Sequence, residues 1–136
     1  SALHQDFCMR KLADVRADFD HPKMKYHLLE GWREDPFDVF GDGLIKTWFT
    51  PGHTPGLQAL SVALPNSGTF LLTSDAAYTN EILTRNILPG VGWNSEETVS
   101  SIRKIRHMRD AYCMKVVPGH DPDAWENYKK APEYYD

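Results

Sequence analysis

Residues 50–56 of the chain are TPGHTPG, which place one histidine, His53, between two Pro-Gly pairs. Proline and glycine form rigid turns, so an imidazole in such a frame is fixed without help from a helix or a strand. The apolar run at positions 44–49 predicts a buried strand that leads into this turn. A loop histidine without a ligand role is the ordinary interpretation of any lone histidine, and the double Pro-Gly frame weakens it here.

Two downstream loops share this arrangement. Asp75 follows the apolar start of LLTSDAAY at positions 71–78, and His120 follows a short apolar run in VVPGHD at positions 116–121. Imidazoles and carboxylates presented from several strand ends are how a rigid scaffold assembles a metal site. Taken alone, Asp75 is equally well explained as a turn-capping carboxylate. The shared position of His53, Asp75 and His120 at strand ends favours a metal site.

Together, these stretches resemble the metallo-β-lactamase superfamily, and within it the N-acyl homoserine lactone hydrolases. The resemblance runs from about Leu3 onward and is sharpest over residues 50–79 and 116–121. It implies that His53, Asp75 and His120 bind two divalent metal ions, with zinc as the expected metal and Asp75 as a bridging ligand.

The same resemblance gives Tyr78 a catalytic role, because the matching tyrosine donates to the ester oxygens of the substrate. Such a donor would stabilise the oxyanion as the carbonyl is attacked. A packed aromatic ring with a satisfied hydroxyl is the alternative for Tyr78. Asn80, Glu81 and Asp121 are further polar candidates close to these motifs, with solvated loop positions favoured for the first two.

The chain also departs from the superfamily pattern. The segment His-x-His-x-Asp-His does not occur among the 136 residues, and Leu57 stands where these enzymes often repeat a histidine. We therefore expect an α/β fold that is half of an αββα sandwich, with residues 1–136 forming one unit, the C-terminal portion of a metallo-hydrolase domain. Half a layered sandwich would leave one sheet face open.

The function implied by the resemblance is metal-dependent opening of a lactone ester, with an N-acyl homoserine lactone as substrate (quorum quenching). It would require a complementary N-terminal half that carries the absent segment. Two alternatives stay open at this point. One is a thioesterase of the glyoxalase II type with the same fold. The other is a non-catalytic, truncated binding or structural module, for instance a homodimer that buries its open face.

Composition excludes several other function classes. The chain is 41% hydrophobic and 25% charged, which is typical of a globular domain and not of a disordered one. A formal net charge of -4 gives no electrostatic footprint for nucleic acid or an anionic membrane. No apolar run approaches membrane-spanning length and no signal-peptide core is present, so we expect a cytoplasmic protein. Cys8 and Cys113 are expected to be small buried apolar groups, with a single disulfide bridge as the alternative.

Hydrophobic periodicity predicts the remaining elements. We expect helices over residues 2–19 and 121–128, short strands over 26–29 and 114–117, and a hairpin turn at Gly41-Asp42-Gly43. Strands over 57–64 and 69–73 should form an antiparallel hairpin that delivers Asp75.

A further helix should begin at Asn94, because a capping side chain is followed there by acids. Its expected buried face consists of Val99, Ile102, Ile105 and Tyr112, and Trp125 should pack inward from the last helix. A cluster of basic residues on the long helix is interpreted as a solvated face, in preference to a binding patch; it consists of Arg103, Lys104, Arg106 and Arg109.

Overall fold

The structure is a computed structural model that describes residues 21–29, 36–85 and 87–136. One mixed sheet contains five strands: β1 (Phe37–Asp38), β2 (Ile45–Phe49), β3 (Gln58–Leu64), β4 (Gly68–Leu72) and β5 (Lys115–Val117). A 3-10 turn (Ser74–Ala76) follows β4. The α-helices of the described residues are α1 (Asn80–Arg85), α2 (Ser95–Ala111) and α3 (Pro122–Glu126). The expected α/β fold class is confirmed.

The order of the strands brings three loops to one edge of the sheet. The strands lie in the order β1-β2-β3-β4-β5, antiparallel from β1 to β4 and parallel between β4 and β5. Two antiparallel steps separate β2 from β4, so these two strands run in the same direction, and β5 runs with them. The carboxyl ends of β2, β4 and β5 therefore meet at one edge, where the loops carrying the candidate ligands begin.

One face of the sheet is covered by α2 and the elements around it. Leu71 of β4 and Ala59 of β3 are fully buried, and Ile102, Ile105 and Met108 of α2 pack in the same cluster. Because side chains alternate along a strand, this face takes every second residue. Burial of these apolar groups is the main stabilising contribution to the fold.

The opposite face of the sheet is apolar and half-exposed. Cross-strand pairing places Ile45 beside Val62, Val62 beside Phe70, and Leu60 beside Leu72. The ring of Tyr135 covers Phe70, with 4.7 Å between centroids, whereas Leu72 is 39% exposed. A single sheet from a two-sheet sandwich presents such a face.

The hairpin between β1 and β2 follows the predicted turn chemistry. Gly41 and Gly43 have φ angles of 76° and 81°, which side-chain-bearing residues rarely adopt. The Asp38 carboxylate accepts hydrogen bonds from both backbone amides, at 2.9 and 2.7 Å. The antiparallel hairpin of β3 and β4 is likewise confirmed.

Several predictions about individual residues are wrong. No strand forms at residues 26–29. Tyr112 is 58% exposed because it lies just past the end of α2, and the neighbouring Cys113 is exposed as well. Trp125 is 60% exposed and packs on the surface against Tyr128. The helix expected over residues 2–19, and with it Cys8, lies outside the described residues.

The basic cluster on α2 is partly structural. Arg106 is half-buried and donates to the backbone carbonyls of Leu83 (2.6 Å) and Ile82 (3.1 Å), near the end of α1. Lys104 is half-buried and donates to the carbonyl of Phe49 at 3.2 Å, so two of the four residues join α2 to its neighbours. None of the helices in the described parts of the chain has the length and apolar character that crossing a bilayer requires.

Substituting Leu71 tests the assignment of the buried face. Leu71→Ala should lower the free energy of unfolding by about 2–5 kcal/mol, because it leaves a cavity at a fully buried position. The control Leu72→Ala removes the same atoms one residue later, on the half-exposed face. It should lower the free energy of unfolding by clearly less. Urea-induced unfolding measures both, and equal losses would show that the second face is as well covered as the first.

Candidate active site

The loop carrying His53 is held against the long helix by a close backbone contact. Gly52 has φ 140°, and a Cβ there would lie 2.3 Å from Thr98 Oγ1 and 2.6 Å from Thr98 Cα. Ser101, one turn further along α2, donates to the carbonyl of Pro51 at 2.6 Å. Glycine is therefore required at position 52 both by its backbone conformation and by the space that α2 occupies.

The start of α2 strengthens this attachment. The Asn94 side chain accepts from the backbone amides of Glu96 (2.9 Å) and Glu97 (3.0 Å), which confirms the predicted helix cap. The backbone amides of Trp93 and Asn94 donate to the carbonyl of Gly52, at 2.7 and 3.0 Å. The turn before His53 is thus bonded to the capped end of a 17-residue helix.

The segment carrying Asp75 is fixed from beneath by a buried threonine. The Thr73 hydroxyl lies 3.0 Å from the carbonyl of Ala77 and 3.2 Å from that of Val117, which joins β4 to β5 just before the 3-10 turn. Thr73, Ala76 and Ala77 are buried, whereas the Asp75 side chain keeps 32% of its surface exposed. The carboxylate therefore projects from a rigid base towards solvent.

The loop carrying His120 interlocks with this segment. The backbone amide of Gly119 donates to Ala77 at 3.1 Å, and that of His120 donates to Tyr78 at 2.8 Å. A Cβ on Gly119 would lie only 2.5 Å from the carbonyl oxygen of Ser74. The two histidines are therefore each preceded by a glycine that permits close contact with a neighbouring element.

The four residues singled out in the sequence lie together. Asp75 Oδ1 is 2.7 Å from His120 Nε2, and Asp75 Oδ2 is 3.7 Å from His53 Nε2. The Tyr78 hydroxyl lies 2.8 Å from His53 Nδ1, and its ring meets both imidazoles edge-on, with centroids 5.9 and 5.0 Å away. Each oxygen of the Asp75 carboxylate thus faces one imidazole, and the Tyr78 phenol lies against the other nitrogen of the His53 imidazole.

The electrostatic surroundings of Tyr78 keep its phenol protonated. Burial raises the pKa of the hydroxyl above its ordinary value, and the negative charge of nearby Asp75 raises it further. The group is therefore a neutral hydrogen-bond donor at physiological pH. It can donate either to an imidazole nitrogen or to an oxygen that develops charge in its vicinity.

The donor atoms are of the types that bind a divalent metal, but in the part of the chain that the structure describes there are too few of them to hold one. Imidazole nitrogen and carboxylate oxygen are ordinary ligands of zinc, and the side chains retain access to solvent. Within the described ranges, no group of three or more His, Cys, Asp or Glu side chains is arranged so that it could hold a metal ion by itself. Among the described residues, the three candidate ligands therefore do not form a metal site by themselves.

Asp121 joins the two loops that carry Tyr78 and His120. Its carboxylate accepts from the backbone amide of Asn80 (2.8 Å), the Asn80 side chain (3.1 Å) and the backbone amide of Ala124 (2.9 Å). The two backbone hydrogen bonds hold its pKa below the ordinary range. Asn80 is exposed, as expected, and also serves as a hydrogen-bond partner of Asp121. Glu81 forms an exposed ion pair with Arg85, as expected.

Sequence reasoning missed the residues of α2 that support the His53 turn. Thr98 and Ser101 are buried, and they lie three positions apart on the helix. The signal available was a pair of small polar residues on the helix face that otherwise carries Ile102 and Ile105. Small side chains on a buried helix face permit a close backbone approach, and Gly52 is what they meet.

No family model matches the chain, but individual known proteins do. The chain is 50% identical over 121 residues to the N-acyl homoserine lactonase AttM of Rhizobium radiobacter, an alignment that covers 89% of this chain and 46% of the relative. It is 36% identical over 117 residues to an N-acyl homoserine lactonase of a Bacillus species, covering 83% and 42%. The chain belongs to the N-acyl homoserine lactonase family, of metallo-β-lactamase type.

Solved structures give the same relationship. An N-acyl homoserine lactone hydrolase with the product N-hexanoyl-L-homoserine bound at its catalytic metal centre matches with a TM-score of 0.72 and 30% identity, covering 85% of this chain and 43% of that one. The dizinc quorum-quenching lactonase AidC, at 15% identity and a TM-score of 0.64, shares the fold over 98% of this chain and 45% of its own. The lactonase-family chain described here spans about half the length of the relatives it matches.

The tight contact at Gly119 can be tested directly. Gly119→Ala should lower the free energy of unfolding by about 1–3 kcal/mol, because the new methyl group forces the Ser74 backbone away from the His120 loop. Gly90→Ala is the matched control, since nothing lies within 4 Å of a Cβ there. Chemical denaturation measures the free energy of unfolding of both variants. A wild-type value for Gly119→Ala would contradict the described packing.

Proposed function

We propose that this chain supplies half of the active site of a metal-dependent N-acyl homoserine lactone hydrolase. The observation that carries the proposal is the Asp75 carboxylate between His53 and His120, with the Tyr78 hydroxyl against His53. Lactonase-family relatives that match most of the chain support the substrate class. They also favour a lactone over the thioester of a glyoxalase II-type enzyme, and they favour an enzyme over a non-catalytic module.

In this proposal His53, Asp75 and His120 are metal ligands, and zinc is the metal that best suits their nitrogen and oxygen donors. A bound divalent metal would supply polarisation of the lactone carbonyl and activation of water. The three residues are too few for a dinuclear centre, so the remaining ligands must come from a section bearing His-x-His-x-Asp-His, which these 136 residues do not contain.

Tyr78 acts on the substrate as a proton-bearing donor. Its hydroxyl lies beside His53 and keeps its proton because burial and Asp75 raise its pKa. In the reaction, the phenol would donate to the ester oxygens as negative charge develops on the carbonyl oxygen of the tetrahedral intermediate. A donor that is already oriented stabilises this charge without having to reorganise during the reaction.

We further propose that residues 1–136 belong to a single domain whose half-exposed sheet face receives the section that completes the site. Apolar contact along Leu60, Val62 and Leu72 would bury that face, as happens between the two sheets of a sandwich. A second copy of the chain on the same face is the alternative partner. A cytoplasmic location, based on the sequence features given above, is part of the same proposal.

Completion of the site is tested by co-purifying the chain with the N-terminal half of an AttM relative that bears the His-x-His-x-Asp-His segment. We expect about two metal ions per complex and opening of N-acyl homoserine lactones, because the joined ligands suffice for a two-metal centre. Elemental analysis and a panel of lactones and thioesters provide the measurements. A complex that binds no metal and opens no lactone would refute the proposal, and preferential thioester hydrolysis would favour the glyoxalase II alternative.

Asp75→Asn should reduce the metal content of that complex to one ion or less and lower kcat/KM by at least about 100-fold, because the neutral amide removes the shared anionic ligand. His107→Asn is the control, since His107 is exposed on α2 and lies outside the site. Metal analysis and lactone kinetics should show His107→Asn unchanged. Wild-type metal content in Asp75→Asn would remove Asp75 from the ligand set.

Tyr78→Phe should retain metal and lose about 100- to 1,000-fold in kcat, as expected when one donor to a developing oxyanion is removed. Tyr112→Phe removes the hydroxyl of an exposed tyrosine just beyond α2 and should leave kcat unchanged. Steady-state lactone kinetics of both variants, with metal content as a second readout, distinguish a catalytic role from a structural one. Equal kcat values would show that Tyr78 is only a packed aromatic.

A further inference from the structure

The chain leading into Tyr78 is fixed by the core and by the loop that carries His120. Ala77 is fully buried, and its carbonyl accepts from the Gly119 amide at 3.1 Å and from the Thr73 hydroxyl at 3.0 Å. The carbonyl of Tyr78 itself accepts from the His120 amide at 2.8 Å. The backbone is therefore held in place up to and including Tyr78.

The chain leaving Tyr78 is held by the carboxylate of Asp121. Asp121 Oδ2 lies 2.8 Å from the backbone amide of Asn80 and 3.1 Å from its side-chain nitrogen. The other oxygen, Oδ1, accepts from the Ala124 amide at 2.9 Å and caps α3. One carboxylate thus joins α3 to the residue that lies two positions after Tyr78.

Polar groups surround this bridge. A depression of about 450 Å³ lies between the start of α1 and α3, and six of its lining side chains are polar or charged: Thr79, Asn80, Glu81, Asp121, Asp123 and Asn127. Asn80 is exposed, and the buried residues of α1 begin only at Ile82. Because this short stretch lies outside the core, its attachment to the His120 loop depends on hydrogen bonds.

The proposed role of Tyr78 depends on the position of a single oxygen atom. Its hydroxyl lies 2.8 Å from His53 Nδ1, and its ring is edge-on to the imidazoles of His53 and His120. The hydroxyl is at the far end of the side chain, so a small rotation of the backbone moves it further than it moves Cα. Misplacing a reacting group by about 1 Å can cost about 100-fold in rate.

We propose that Asp121 is a positioning residue for lactone opening: through Asn80 it holds the Tyr78 hydroxyl where the oxyanion develops. This inference rests on the proposed lactonase function. In this role Asp121 contacts neither the metal nor the ester, and its contribution is separate from that of the adjacent candidate ligand His120. Loss of the bridge should lower the rate of the chemical step and leave the metal in place.

The experiment uses the completed enzyme, with the chain joined to the section bearing His-x-His-x-Asp-His. Asp121→Asn keeps the size of the side chain and its ability to cap α3, but its one oxygen cannot serve both α3 and Asn80. Asn80→Asp breaks the bridge from the other side by placing a second carboxylate against Asp121. An acid is favourable at the start of a helix, so this variant should fold.

Asp123→Asn is the matched control. It removes an exposed carboxylate from the same depression, two positions after Asp121. A rate change caused only by lost negative charge near the site would therefore appear in this variant as well.

Asp121→Asn and Asn80→Asp should each lower kcat by about 10- to 100-fold, because the donor is misplaced in the transition state. KM and metal content should stay within about twofold of the wild type, since only an interaction made in the transition state is lost. Asp123→Asn should match the wild type. In a Tyr78→Phe background, either substitution should lower kcat by no more than about a further twofold, because the hydroxyl it positions is already absent. Lactone kinetics and elemental analysis provide these values.

Several results would overturn the inference. Losses that multiply with that of Tyr78→Phe would show that Asp121 acts independently of the phenol. Metal lost in parallel with kcat would show that Asp121 supports His120 instead. If Asp121→Asn does not fold, a wild-type kcat in Asn80→Asp is sufficient to refute the role.

The test also separates this inference from the lactonase function. If the completed wild type opens lactones and both variants match its kcat, only the role of Asp121 is refuted. A completed wild type that opens no lactone would overturn the lactonase function, and this inference with it.

Discussion

The common direction of β2, β4 and β5 is the constraint on which the site depends. β5 pairs with β4 in parallel, and a parallel neighbour needs a crossover connection, which here contains α1 and α2. The same crossover supplies the helix that covers the core face of the sheet and holds the turn before His53. One topological requirement therefore builds the core and brings three loops to the same edge.

Backbone contacts then fix the loops more tightly than side-chain packing alone could. Gly52 meets Thr98, and Gly119 meets Ser74, at distances that leave no space for a Cβ. Asp121 ties the Asn80 backbone to the loop after His120. Because the imidazoles and the carboxylate project from segments fixed in this way, their mutual distances are set before any ligand arrives, which lowers the cost of binding.

In the proposed enzyme, the half-exposed sheet face and the shortage of metal ligands have one explanation. A sheet covered on one side leaves apolar residues such as Leu72 in contact with solvent, and three donors would be too few for the proposed two-metal centre. In the proposed enzyme a single completing section resolves both. Its apolar residues would cover the sheet, and its histidines and acid would fill the metal site, which couples assembly of the domain to activity.

Features that depend on local chemistry could be predicted before the fold was known. The Pro-Gly turns around His53, the glycine turn after Asp38 and the Asn94 cap all follow from backbone preferences of neighbouring residues, and the structure contains each of them. The resemblance of the three motifs to lactonases is equally a property of short stretches. It was sufficient to select the four side chains that the structure brings together.

Features that depend on residues far apart in the chain could not be predicted in this way and emerge from the three-dimensional fold. Periodicity placed Tyr112 and Trp125 inside, but both are exposed because no element packs over them within the described residues. The contacts of Thr98 with Gly52 and of Asp121 with Asn80 join residues about 40 or more positions apart, and no local pattern predicts such pairs. The placement of Asp75 between two imidazoles has the same origin. It results from the alignment of three strand ends, which exists only once the sheet has formed.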